Sequence, residues 1–142
     1  MRRPLTIVAA LALACVMVLA DEQIDQERQA EHGRDLYRIY CQNCHGEAGQ
    51  GDGPMVEVLK VPPADLTRLA RDHDGEFPTD DVHAAIDGRD DLLAHGSSKM
   101  PVWGMAFREF DTDIDQERNI QARILQLIEY LKTIQVASAG KK

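Results

Sequence analysis

Apolar residues recur with a helical period at both ends of the chain and nowhere alternate with a period of two. Gly33, Leu36, Tyr37 and Tyr40 fall at i, i+3, i+4 and i+7, and Ile120, Ile124, Leu127, Ile128, Leu131 and Ile134 continue that spacing over four turns. Each segment predicts an amphipathic helix with one face to bury. The pentapeptide Ile-Asp-Gln-Glu-Arg occurs twice, at 24–28 and 114–118. Acids in a first turn complement the helix dipole, so both copies are expected to start these helices rather than to mark a duplicated domain. Between them lie two shorter helix signals. Ala64 to Arg71 follows Pro62-Pro63 and sets Leu66, Leu69 and Ala70 on one side, and a second helix starts at Thr79, with Asp80 and Asp81 in its first turn and Gly88 as its stop. The remainder is loop-rich, as at Gly46 to Gly53, and strands are scarce. The expectation is one small all-α domain.

Composition sharpens this picture. With 142 residues, 44% hydrophobic and 28% charged, the chain suits a single globular domain. Aromatic residues make up only 5% and Trp103 is the one Trp, so these few helices would bury a thin core, a deficit that a large apolar cofactor would repair. Sixteen basic residues against 24 acidic ones leave a charge of −8. No basic surplus exists to neutralise a phosphate backbone, which argues against a nucleic-acid partner.

The first twenty residues differ from the rest. They contain no acid; Arg2 and Arg3 precede an uncharged apolar stretch from Leu5 to Ala20, and Asp21-Glu22 follows. This is the layout of a secretory signal peptide, residues 1–20, with Val18-Leu19-Ala20 at the cleavage site and residues 21–142 as the exported domain. Kept as a helix, the apolar stretch would span about 24 Å against a hydrocarbon core of roughly 30 Å, so a membrane-tethered form would require bilayer thinning. Leu13-Ala14-Cys15 offers a weaker lipoprotein reading, because apolar residues rather than a polar tether follow Cys15. Cleavage after Ala20 would leave 122 residues with 14 basic and 24 acidic side chains, a charge of −10, and only Cys41 and Cys44 in an oxidising compartment.

Cys41-Gln42-Asn43-Cys44-His45 carries the chemistry. C-x-x-C-H is the attachment signature of c-type haem: two thiols three positions apart can add to the two vinyl groups of one porphyrin edge, and the adjacent imidazole can turn under the ring to bind iron. A redox dithiol would want a thioredoxin-like βαβ context, and a zinc site a second Cys or His pair; the sequence supplies neither.

With these residues in place the sequence resembles a mono-haem class I cytochrome c of the bacterial exported kind, over nearly all of residues 21–142. Gly33, Tyr37 and Cys41 to Gly46 resemble that family's first helix and haem motif, Gly49 to Pro54 its glycine-rich loop, and Pro62 to Thr67 its Pro-Pro-x-Asp-Leu-Thr stretch. Met100-Pro101-Val102-Trp103-Gly104 is similar to the segment carrying the second axial ligand, and Leu127 to Lys132 to the closing helix. The resemblance implies one covalent haem c on Cys41 and Cys44, iron bound by His45 and Met100, and N- and C-terminal helices crossing over the haem with Tyr130 against Gly33. Gly33, Tyr37 and Tyr130 are then packing residues.

For the distal side of the iron, Met100, Met105, His83, His95 and Lys99 compete. Met is the family's usual sixth ligand, and a thioether stabilises ferrous iron and raises the potential. Pro101 keeps Met100 out of helix and holds its loop extended, so Met100 is expected, with His95 in the same loop as its rival. Met55 and Met105 are expected to fill gaps in core or loop packing. His83, His32 and His73 are expected at the surface. The free N–H of His45 should reach a proline carbonyl, with Pro54, Pro62 and Pro63 all open. Trp103 either lines the haem pocket near a propionate or simply packs in the core, and the acidic stretches 72–76 and 111–115 read as solvated loops.

Together these features imply a periplasmic carrier that shuttles single electrons between a redox-protein donor and acceptor, membrane-bound respiratory complexes among them. No enzyme activity and no small-molecule substrate are expected. The alternatives are the haem subunit of a larger oxidoreductase complex and, more weakly, a gas-sensing or peroxidase-type haem protein, against which a six-coordinate iron argues. The acidic charge favours a partner with a neutral or basic docking face.

Overall fold

No proline or glycine interrupts residues 5–32, and most of those residues favour helix. The computed structural model describes residues 4–91, 100–109 and 114–137, the side chains of residues 4–16, 18 and 109 aside. It carries six described helices: α1 (Pro4–Tyr40), α2 (Gln42–His45), α3 (Leu69–Asp72), α4 (Thr79–Asp87), α5 (Trp103–Glu109) and α6 (Gln116–Thr133), with 3₁₀ turns at Val56–Val58 and Leu66–Arg68. No strand occurs among the described residues, and the fold is all-α. The first Ile-Asp-Gln-Glu-Arg copy lies inside α1 rather than at its start, because nothing upstream of Ile24 breaks the helix. The second copy does start a helix, with Asp115 at the N-cap of α6 and Gln116 to Arg118 in its first turn.

The helices at the two ends of the fold cross closely. Ile120, Ile124, Leu127, Ile128 and Leu131 of α6 are all buried, each such side chain contributing about 1.5–3 kcal/mol relative to exposure. A Cβ placed on Gly33 would collide with the Gln126 carbonyl oxygen, lie 2.5 Å from the carbonyl carbon and 2.9 Å from Tyr130 Cβ. Only a residue without a side chain permits this approach. The Tyr130 ring then sits 5.1 Å from that of Tyr37, tilted by 50°.

The expected helix from Ala64 begins later and is broken. Asp65 stays extended (φ −73°, ψ 102°), and its carboxylate accepts from the Thr67 N–H at 3.0 Å and the Thr67 hydroxyl at 2.6 Å, a local bond that competes with helix and starts the turn at Leu66. Arg68 (φ −108°, ψ 3°), the last residue of the 3₁₀ turn, is also the N-cap of α3, so the two meet with a break in helical geometry. From the C-terminal side, Gln135 accepts from the Ala70 N–H at 2.9 Å and donates to the Leu66 carbonyl at 2.8 Å, while Val136 N–H donates to the Thr67 carbonyl at 2.8 Å.

Helix α4 starts and stops as the sequence predicts, with Gly88 left-handed at φ 67° and Val82 and Ile86 buried. His83 is a correction: it is half-buried, its Nε2 lying 2.6 Å from Gln121 Oε1, because α4 packs along α6 and turns this side chain into the seam. Helix α5 is a second correction, since that stretch reads as loop. It buries Phe107 completely, and Trp103, one turn earlier, stacks on it with centroids 5.8 Å apart. Tyr40 meets both rings edge-on at 5.4 and 5.2 Å. Three of the seven aromatic residues thus form one cluster, and Tyr37 and Tyr130 pair separately.

Arg89 ties the end of α4 to the first turn of α6 through Asp87 and Glu117. Hydrogen bonding from Arg89 holds the Glu117 carboxyl down at about 2 and lowers that of Asp87 as well. A depressed carboxylate stabilises the fold fully above its unfolded pKa and progressively less as pH falls toward its folded one. Stability is therefore expected to decline between pH 4.5 and about 2, by a modest amount because the Glu117 side chain is 62% exposed. Acid titration of thermal unfolding checks this: Glu117→Gln should flatten the decline, and an unchanged acid limb would remove Glu117 as a contributor.

Candidate haem site

The motif sits where α1 gives way to α2, and the backbone stays helical through it: Cys41 N–H donates to the Tyr37 carbonyl at 2.9 Å and His45 N–H to that of Cys41 at 2.9 Å. Residues three and four apart share a helix face, so Cys41, Cys44 and His45 all open onto one cavity. Gly46 (φ 84°) ends the turn. The glycine-rich loop folds back on the motif, Gly51 N–H donating to the His45 carbonyl at 2.8 Å and Gly53 N–H to that of Cys44 at 3.2 Å. A Cβ on Gly53 would lie 2.7 Å from the Cys44 carbonyl carbon, so the loop needs glycine there to lie this close. The buried Tyr37 hydroxyl donates to the Gly46 carbonyl at 2.7 Å.

His45 Nδ1 lies 3.1 Å from the carbonyl oxygen of Ala64. This corrects the expectation of a proline carbonyl: Pro62-Pro63 holds the chain extended and delivers the next residue's oxygen, that of Ala64. Donation from Nδ1 leaves Nε2 with a lone pair for a metal. Burial lowers the pKa of His45, favouring the neutral ring. Burial, with Cys44 beside it, pushes the Cys41 thiol up to about 12. Cys41 and Cys44 are both free.

Two adjoining cavities, of about 220 and 520 Å³, share Cys41, His45, Ala64, Met100 and Trp103 in their walls. The inner one reaches Leu69, Val82, Ile86 and Leu127, and the outer one is closed by Cys44, Leu59 to Pro63 and Pro101. Such space, lined by apolar side chains with two thiols and an imidazole on one wall, fits a flat apolar macrocycle carrying a metal. Met100 and His45 border both cavities, although 55 positions separate them in the chain.

Met55 and Met105 are exposed and border neither cavity, so neither fills a core gap. His32 is exposed; His73, exposed and bonded through Nδ1 to the Leu69 carbonyl at 2.8 Å, stands at the edge of the inner cavity. His95 and Lys99 lie outside the described residues, as do residues 111–113 of the second acidic stretch. Trp103 lines the site as well as packing in the aromatic cluster. The Tyr40–Trp103–Phe107 cluster and the Ala64 carbonyl were missed from sequence. The i, i+4 spacing of Trp103 and Phe107 just after Pro101 is the signal for the former; no local pattern marks the latter.

Fold and site together define a mono-haem class I cytochrome c. The chain belongs to the family described as cytochrome c oxidase, cbb3-type, subunit III, which matches residues 28–116. That family places a covalently bound haem c with its iron in this domain and gives it an electron-transfer role among redox-protein partners. No curated protein and no solved structure matches the chain.

Proposed function

We propose that this chain is an exported carrier of single electrons, with its haem fixed by Cys41 and Cys44 and its iron bound by His45 and Met100. The observation that carries this reading is that both thiols, the imidazole and the thioether border one apolar cavity. Cys41 and Cys44, free thiols here, would hold the haem by adding S–H across its two vinyl groups, an addition that needs no oxidant. When bound, the haem supplies a ferric/ferrous couple. The Ala64 carbonyl orients the His45 ring, and the apolar walls would keep water from a bound iron so that little would rearrange when its charge changes. At the Cys44 edge the exposed apolar residues Leu59 and Val61 offer a surface on which a redox partner can dock. Residues 1–20 act as a leader that is removed after Ala20, placing residues 21–142 in the periplasm.

The protein exported from a haem-attaching host should begin at Asp21 and exceed its polypeptide mass by one haem after denaturation. Its ferric form should show the far-red sulfur-to-iron charge-transfer band, and Met100→Ala should abolish that band and lower the potential. Survival of the band in Met100→Ala, with an altered iron spectrum in His95→Ala, would transfer the distal role to His95.

The family's description favours a second reading, the haem subunit of a larger oxidoreductase. A stable complex on gentle purification would select it; a monodisperse small haem protein would select the free carrier.

A further inference from the structure

The segment after Met100 joins α5 through Val102, whose carbonyl accepts from the Met105 and Ala106 N–H groups at 3.1 Å each. Pro101 has no N–H to donate, and α5 begins only at Trp103. Two contacts from the end of α4 support it. A Cβ on Gly88 would lie 3.4 Å from Val102 Cα, and one on Gly104 would collide with the Asp87 carboxylate and lie 2.7 Å from Arg89 Nε. The backbone two and four residues past Met100 therefore rests directly on Asp87 to Arg89.

Arg89 joins two elements there. Its Nε and Nη2 donate to Asp87 Oδ1 and Oδ2 at 2.6 and 2.7 Å, and its Nη1 and Nη2 donate to Glu117 Oε2 and Oε1 at 2.8 and 2.7 Å. Gln121 adds a bond to Glu117 at 3.0 Å and one to Asp87 at 3.4 Å. The Asp87 and Arg89 side chains are only 14% and 28% exposed, so this end of the bridge is shielded from solvent screening. A planar guanidinium can bind two carboxylates in this way, whereas an ammonium cannot.

We propose that Arg89, gripped by Asp87 and Glu117, is a positioning residue for Met100: it locks the end of α4 to the start of α6 around the Val102–Gly104 backbone and so controls how readily the thioether leaves the iron. This rests on the reading of Met100 as the distal ligand. A thioether carries no charge, so its hold on ferric iron depends on how well the loop presents it. Any equilibrium between bound and displaced thioether also sets the apparent affinity of an added ligand for the iron.

The test uses the ferric holoprotein. Imidazole affinity is measured by titration, the far-red band is followed with temperature, and far-ultraviolet circular dichroism reports the helices. Arg89→Gln should bind imidazole about tenfold more tightly, the scale of losing one charge-assisted pair, and should lose the band at a temperature where the helices remain intact. Arg89→Lys, which keeps the charge but not the fork, should behave in the same way. Should the Arg89 variants fail to fold, Glu117→Gln, at a largely exposed position, should show the same change in smaller measure. If the wild type shows the band but the variants bind imidazole as it does, or lose band and helix together, the positioning role is overturned and Met100 remains the ligand. A wild type without the band overturns the Met100 reading itself, and the role of Arg89 falls with it.

Discussion

The double variant Cys41→Ser/Cys44→Ser is expected to emerge with no covalent haem and without a stable fold. The two thiols open onto the larger cavity, and serine hydroxyls do not form the thioethers. The inner cavity alone is about 220 Å³; without haem its apolar walls, among them Leu69, Val82, Ile86 and Leu127, would face water instead of a packing partner, a loss of about 1.5–3 kcal/mol per side chain so exposed against a domain stability of about 5–15 kcal/mol. Loss of the cofactor should therefore appear as lost helix signal and lost cooperativity in thermal unfolding, together with an intact mass equal to the polypeptide alone. Retention of covalent haem in this variant would remove the cysteines from the attachment site.

Gly33→Ala should destabilise the holoprotein although alanine is the better helix former. Helix propensity favours the substitution by about 1 kcal/mol. Against it, the new Cβ would meet the Gln126 carbonyl oxygen and lie 2.5 Å from the carbonyl carbon. These are backbone atoms of a helix that buries five side chains, so relief requires separating α1 from α6. Overpacking of this kind costs about 1–3 kcal/mol or more, and separation also disturbs the Tyr37–Tyr130 contact. The net effect is a loss of about 1–2 kcal/mol, or roughly 3–8 °C in Tm for a chain of this size, read by circular dichroism. A Tm equal to or above that of the wild type would show that the crossing can open without cost.

The family, and the placing of two thiols and an imidazole on one face, were legible from single residues and their spacing. The thiols and imidazole share a face because positions 41, 44 and 45 lie within one helical turn, and the period of Ile120 to Leu131 foretold the buried stripe of α6. Helix starts were less legible. The Ile-Asp-Gln-Glu-Arg copies share their sequence, yet one lies inside α1 and the other spans the start of α6, because a start depends on what comes before it. Residues 4–23 already favour helix, while the residues before 114 include the acidic run from Asp111.

What the chain determined by itself was its local chemistry: the thiol spacing, the stop at Gly88 and the apolar periods. These rest on backbone geometry over a few residues, which neighbours in sequence specify completely. The tertiary structure alone decided that Ala64 rather than a proline offers its carbonyl to His45, that His83 turns toward Gln121, and that Arg89 reaches both Asp87 and Glu117. It also brought Met100 to the cavity bordered by His45. Each of these pairings joins groups whose separation is set by how helices pack rather than by local spacing, and packing is a property of the whole core.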